Sequence, residues 1–246
     1  MPQEDLDDAD GHADPAHASD VGHTHSDVSG GWLRAAVFGA MDGLVSNTAL
    51  IAGVAAAESA HATVVSGIAG LLAGAFSMAL GEYTSVTTAN EQIESEVHVE
   101  RRAFRTRQEA ERKELIAMLM RMGMTEATAR AATEEIHRDE NKAVGFHLVQ
   151  EIGVDPAQKP SARLAATSSF AMFAIGALIP LLPYLLGYGS LVPGLLCGGV
   201  GLMVAGGLTA PFTRRPIWWA ALRQLAFGTI AVAATYLVGL LVATLI

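Results

Sequence analysis

Five runs of roughly 18 or more mostly apolar residues, at 35–57, 63–80, 165–186, 191–210 and 222–246, limit what this chain can fold into more than any other feature. About 20 residues rising 1.5 Å each cross the ~30 Å hydrocarbon layer of a bilayer, so each run predicts a membrane-spanning helix. The expected fold class is an all-α membrane protein with five transmembrane helices. The first run reads as an anchor rather than a secretory leader, because the residues before it are acidic and polar and lack a basic n-region.

Charge is distributed unevenly enough to predict orientation. Of the 16 Lys and Arg residues, 12 lie between residues 91 and 163, after the second run, and Arg214, Arg215 and Arg223 follow the fourth. The positive-inside rule places both segments in the cytoplasm, so the N-terminus is inside and the C-terminus outside. The short loops left on the other face, 58–62 and 187–190, contain no Lys or Arg. The net charge of -9 belongs to the wet parts: eight of the 25 acids precede Val28 and none follows Asp155. A single cysteine, Cys197, inside the fourth run, rules out a disulfide framework and a Cys-based metal motif and reads as a packing residue.

Residues 1–30 are a low-complexity tail of Asp, His, Ala, Gly and Ser, too poor in large apolar residues to fold alone and expected to be disordered. His12, His17, His23 and His25, interleaved with Asp14, Asp20 and Asp27, read equally as a transient metal binder or as a solvated acidic linker. Residues 31–90 hold the first two spans and 161–246 the other three. Between them, 91–160 is expected to be a cytoplasmic helical domain inserted between spans two and three. Its pattern predicts one helix over 91–122, a break at Gly123, a helix capped by Thr125 running to about His137, and another over 139–151 ended by Gly153. Some 70 residues make a small core, which favours packing against a second copy. Gly70, Gly74, Gly194, Gly198 and Gly201 are spaced so that helix backbones can approach closely, within the chain or in a dimer.

Two carboxylates, Asp42 and Glu82, fall inside or at the end of the first two spans at nearly equal depth, about 10 Å from the cytoplasmic side. An ionisable group in the hydrocarbon is costly and marks an ion pathway by default. Met78, Glu82 and Ser85 share one helix face, as do Asp42 and Ser46. Two carboxylates with a thioether suit Fe²⁺, Mn²⁺ and similar ions better than Mg²⁺ or Ca²⁺. Proton and metal compete for such a carboxylate, which makes proton-coupled exchange the hypothesis. The bland alternative has Glu82 reaching water at the interface, Asp42 pairing with Arg34 and Met78 filling core space.

In the segment 91–160, Glu100, Glu111, Glu114 and Met118 form a stripe if they share one helix. Glu134, Glu135, His137, Asp139, Glu140 and His147 are expected to face it, with enough oxygen and imidazole for a multi-metal acidic site. The competing reading is a solvated helix laced by pairs with Arg101, Arg105, Arg107 and Lys113.

The stretch Gly31-Trp-Leu-Arg-Ala-Ala-Val-Phe-Gly-Ala-Met-Asp-Gly-Leu-Val-Ser46, then Gly74-Ala-Phe-Ser-Met-Ala-Leu-Gly-Glu-Tyr-Thr-Ser-Val86 and a charged insertion before three further spans, resembles the vacuolar iron transporter family. The resemblance covers nearly all of the chain beyond residue 30. It implies a five-span homodimer that moves Fe²⁺, and often Mn²⁺, out of the cytosol in exchange for protons, along a path at the dimer interface. It further implies that Asp42 and Met78 line the transport site with Glu82 nearby, and that the insertion collects ions on its glutamates. Glu100, Glu111 and Glu114 fall at family glutamate positions, while a fourth expected acid falls at Ala103. His137 stands where the family often has Met, and Glu140 is the carboxylate candidate near it. Met41 stands where Asn commonly precedes the Asp-Gly pair.

The function expected is a proton-coupled divalent metal exporter, with Asp42, Met78 and Glu82 as transport site and Glu100, Glu111, Glu114, Met118, His137 and Glu140 as metal ligands of the collector. No prosthetic group and no nucleic-acid partner are expected; the metal is substrate. The setting expected is a bacterial inner membrane. A membrane-anchored iron-storage or sensor protein is the alternative, against which Asp42 argues, because storage needs no buried charge. A di-iron oxidase is a third reading. It is weakened because Glu134-Glu-Ile-His137 is a single Glu-x-x-His where such bundles use two.

Overall fold

The computed structural model describes residues 31–56, 59–210 and 215–245. The tail at 1–30, with the expectations attached to its histidines, lies outside these residues, as does Arg214. Eight α-helices and no strand occur among the described residues: α1 (Gly31–Ala55), α2 (Ala60–Thr106), α3 (Gln108–Arg121), α4 (Glu126–Ile136), α5 (Glu140–Ile152), α6 (Ala162–Leu185), α7 (Leu191–Leu208) and α8 (Ile217–Leu245). Five of them, α1, α2, α6, α7 and α8, are long and apolar enough to cross a membrane.

Four of the five expected spans begin several residues upstream of the apolar run, because a helix continues through its flanks at the interface. Trp32 and Arg34 open α1, and the edge-on pair Trp218–Trp219, with ring centroids 5.8 Å apart, opens α8. Amphipathic aromatic rings favour the headgroup level.

The largest departure is α2. The second apolar run ends near Leu80, yet the helix continues without interruption to Thr106, 47 residues in all and about 70 Å long. Between Glu82 and Thr106 there is neither Gly nor Pro, so nothing local stops it. The single helix expected over 91–122 is corrected accordingly: its first half belongs to α2, and the chain breaks at Arg107, with φ −132° and ψ 36°, before α3 begins. In one continuous helix Glu100 and Glu111 would stand about 16 Å apart along the axis. The break shortens that separation and lets both carboxylates reach one histidine.

The remaining boundaries follow local chemistry. Thr125 caps α4 by accepting from the Thr128 N–H at 3.3 Å, and Asp139 caps α5 by accepting from the N–H groups of Asn141 and Lys142 at 2.9 and 3.3 Å. Gly153 ends α5 at φ 70°, a left-handed conformation that costs glycine little. Two small cores hold these helices to the end of α2. Phe104, Ala143, Val144 and Leu148 form one, and Leu115, Leu119 and Ala129 the other, with Ile136 touching both.

Among the spans, α6 packs most extensively against α1 and then α2, while α8 lies against α7 and α1. Small residues permit this. A Cβ on Gly39 would sit 2.6 Å from the Ser169 carbonyl oxygen, and Gly43 and Gly176 meet the backbone of Phe173 and Ala40 as closely. The glycines singled out in the sequence serve contacts within the chain: Gly70 faces Leu50 and Asn47, Gly74 faces Phe173, and Gly194, Gly198 and Gly201 face Tyr184, Thr48 and Leu44. Cys197 is a half-buried free thiol on α7.

Candidate functional site

Between α1, α2 and α6 lies a cavity of about 220 Å³ that is open on one side. Asp42, Ser46 and Asn47 reach it from α1, Ser77 and Met78 from α2, and Phe173 lines it from α6. Gly70 and Gly74 leave the α2 wall low enough for the cavity to exist. Asp42 and Met78, expected to act together, are both brought to this space; Met41 is not part of its lining. The Ser46 hydroxyl is used within its own helix, donating to the Asp42 backbone carbonyl at 2.6 Å. Asp42 is half-buried and shares the cavity lining with Ser77, Met78 and Asn47.

Glu82 sits one turn beyond Met78 on α2, outside the cavity lining. Its carboxylate accepts from the Arg34 guanidinium at 2.8 Å. Arg34 therefore pairs with Glu82, not with Asp42, and Asp42 keeps no basic partner among the described residues. The pair stands at the end of the cavity where α1 begins.

The second constellation is built where α2, α3, α4 and α5 meet. His147 on α5 is fully buried, and its Nδ1 lies 3.2 Å from Glu151 Oε1, 3.4 Å from Glu100 Oε1 and 3.9 Å from Glu111 Oε2. Glu100, His147 and Glu151 each offer a ligand atom within 4.8 Å of the others. On the far side of the ring, His147 Nε2 is 3.3 Å from Nε2 of His137, the C-cap of α4. Burial of Glu100, reinforced by the charges of Glu151, Glu111 and Glu114 and eased by His147, pushes its carboxyl up to about 7. His137 is pushed down to about 4, first by burial and then by His147 and Arg112, so its imidazole is neutral at pH 7.

A neutral His147 offers its Nδ1 lone pair among three carboxylates, an N/O set suited to a borderline first-row divalent ion. In that arrangement His147 donates its Nε2–H to His137, an outer hydrogen bond of the kind that holds metal-binding imidazoles in one tautomer. Two buried atoms here have no hydrogen-bond partner, Glu100 Oε1 and His137 Nδ1. A bound cation would satisfy the first.

Other expected ligands are placed differently. Glu114 is exposed but close enough to act on Glu100, and Met118 is buried on α3 one turn further on. Glu140 is bound by Arg105 at 2.9 Å and Arg101 at 3.4 Å and does not join the His147 group. Glu134 is exposed, Glu135 pairs with Arg138 and Asp139 is spent on its cap. Ala103, where an acid was expected, is buried. Three polar members of the constellations were missed: Glu151, whose i,i+4 spacing from His147 was the available signal, and Asn47 and Ser77, which looked like further polar residues in small-residue runs.

A family model described as the VIT family matches residues 33–240, a span that contains both constellations and reaches into all five membrane helices. The chain is 31% identical over 234 residues to a vacuolar iron transporter of Acanthamoeba castellanii, an alignment covering 91% of this chain and 84% of that protein. It is 26% identical over 219 residues to a vacuolar iron transporter of Centaurea cyanus, covering 86% and 88% of the two chains. A shorter stretch of 61 residues is 62% identical to vacuolar iron transporter homolog 4 of Oryza sativa subsp. japonica, covering 24% of this chain and 28% of that protein. Matched along most of its length in this way, the chain is an integral membrane protein that belongs to the VIT family.

Proposed function

We propose that this protein transports divalent metal, Fe²⁺ and also Mn²⁺, out of the cytosol in exchange for protons. The observation that carries the reading is the cavity in which Asp42, an ionisable group within a span and without a basic partner among the described residues, opens beside the Met78 thioether. An ionised carboxylate away from water needs a positive companion, and either a proton or a metal ion supplies it. Each displaces the other, which is the chemistry of exchange. One carboxylate, one thioether and a few neutral oxygens form a sparse shell, better suited to passing an ion than to keeping it.

Glu82 and Arg34 stand at the mouth of this path. The helices after Leu80 act as a cytoplasmic collector, in which Glu100, Glu111, His147 and Glu151 gather ions, with Glu114, Met118 and His137 supporting them. Glu140 contributes through its arginine pairs. Orientation follows the basic residues between 91 and 163, which place this region and the N-terminus in the cytoplasm. A bacterial plasma membrane is the proposed setting, from the composition of the acidic, histidine-bearing tail. A second copy of the chain covers the exposed apolar face of α2 that carries Val65, Ile68, Leu72 and Phe76. The names of the relatives support iron as cargo.

Metal storage or sensing is the second reading, favoured by the density of the Glu100–His147 group. Flux into proteoliposomes under an imposed pH gradient separates the two. Flux of Fe²⁺ and Mn²⁺ that requires both the gradient and Asp42 supports transport; tight binding with no flux sinks it.

A further inference from the structure

We infer that the side-chain carbonyl of Asn47 is a neutral oxygen ligand at the membrane-inward end of the Asp42–Met78 cavity, receiving the ion after Asp42. The inference rests on the transport reading and adds a subsite to it. Asn47 is 2% exposed, so its amide cannot rely on water. Its Nδ2 donates to the Ala177 carbonyl on α6 at 2.6 Å. That bond settles which way the amide points, because the flipped form would press two oxygens together. Oδ1 is therefore turned away from α6, and it is buried with no hydrogen-bond partner. Buried acceptors are rarely left unmatched, and one fixed by its own donor at the wall of a cavity has room for a cation.

The surroundings agree. Asn47 lies five residues beyond Asp42 on α1, about 7.5 Å deeper along the axis. Across from it, a Cβ on Gly70 would stand 3.1 Å from Oδ1 and would collide with Leu50 Cδ2, so glycine leaves that corner to the flexible Leu50 side chain, whose rotation uncovers the carbonyl to an entering ion. Ser46 cannot substitute, since its hydroxyl is bonded to the Asp42 carbonyl. An amide oxygen binds a divalent ion without first losing a proton and holds it without a full charge, so the ion is received from Asp42 yet free to leave. Such a ligand favours ions that accept hard oxygen, Mn²⁺ and Fe²⁺, over a thiophilic ion such as Cd²⁺, which draws more on Met78.

The test compares Mn²⁺ and Cd²⁺ flux in proteoliposomes for the native chain, Asn47→Leu and Gly70→Ala. Asn47→Leu keeps the volume and removes the oxygen; Mn²⁺ flux at subsaturating metal is expected to fall about tenfold or more, through a higher KM, and the Mn²⁺/Cd²⁺ ratio to fall with it. A purely structural role would lower both ions alike. A folded Asn47→Leu protein, with native thermal midpoint, native Mn²⁺ flux and native ratio, overturns the inference. Should that variant not fold, Gly70→Ala, which leaves Asn47 intact and fills the space before it, must show the same drop in ratio, and its absence overturns the inference equally. No flux from the native chain would instead sink the transport reading. Equilibrium Mn²⁺ binding in a Glu100→Gln/Glu111→Gln background then decides whether Asn47→Leu weakens the cavity site.

Discussion

The cavity beside Asp42 and the cluster around His147 hang on the same helix, α2, yet they are built on opposite terms. The cavity has one carboxylate, no basic partner among the described residues, and walls made of glycine and close helix crossings. The cluster brings three carboxylates within 4 Å of one imidazole nitrogen and backs that imidazole with a second. Charge is scarce within the membrane-spanning helices and gathered where several buried carboxylates can share one imidazole. The difference teaches that ligand density tracks the cost of holding charge, so the region that binds most tightly need not be the one through which ions pass.

The hardest blow to this contrast falls on the cavity. Asp42→Asn removes its only charge, and gradient-driven Mn²⁺ flux in proteoliposomes should drop by about 100-fold or more, with metal binding at the His147 cluster unchanged. Equal loss of both would merge the two sites into one. The converse change, Glu100→Gln with Glu151→Gln, should weaken equilibrium Mn²⁺ binding by about 10- to 100-fold, while flux at saturating metal falls no more than about threefold.

Acid sharpens the comparison further. Glu100 holds its proton up to about pH 7, so binding at the cluster should fall by up to about tenfold per pH unit below that, read by titration calorimetry. Without metal the sign for stability is reversed. The folded chain binds the Glu100 proton more tightly than the unfolded chain, so this contribution is present below 4.5, the ordinary glutamate value, and is lost as pH rises through about 7. His137 works the other way, losing stability as pH falls from 6.5 towards 4. Denaturation of the metal-free protein should therefore show a decline between pH 6.5 and 8 that added Mn²⁺ abolishes.

The smallest effect is expected at Glu140. Its partly exposed pairs with Arg105 and Arg101 are worth under about 1 kcal/mol, so Glu140→Ala should shift the thermal midpoint slightly and leave Mn²⁺ affinity within about twofold. A large loss of affinity would move Glu140 into the cluster.

These placements also mark what could be read in the residues alone. The five spans were legible because hydrophobic runs of that length have few alternatives, and Thr125, Asp139 and Gly153 declared the helix ends around α4 and α5. The break at Arg107 was not legible: the residue is neither Gly nor Pro, and the turn exists because tertiary packing of α3 on α4 outweighs local helix preference. Glu140 was the candidate beside His137 by family resemblance, whereas the folded chain turns His147, already expected to face the glutamate stripe, and Glu151 towards Glu100 and Glu111. Asn47 escaped for a different reason, since only the fold tells that its donor is occupied and its acceptor is not.

The uninterrupted run of α2 fixes a ruler between the two sites. Met78 and Glu100 are 22 residues apart on it, about 33 Å along the axis, and no hinge lets them approach. An ion leaving the cluster must cross that gap through solvent. One ion confined to a volume of that radius has an effective concentration on the order of millimolar, as a short tether would give. In the proposed transporter the cluster works on the cavity by crowding ions near its entrance, and the length of one helix sets how strongly.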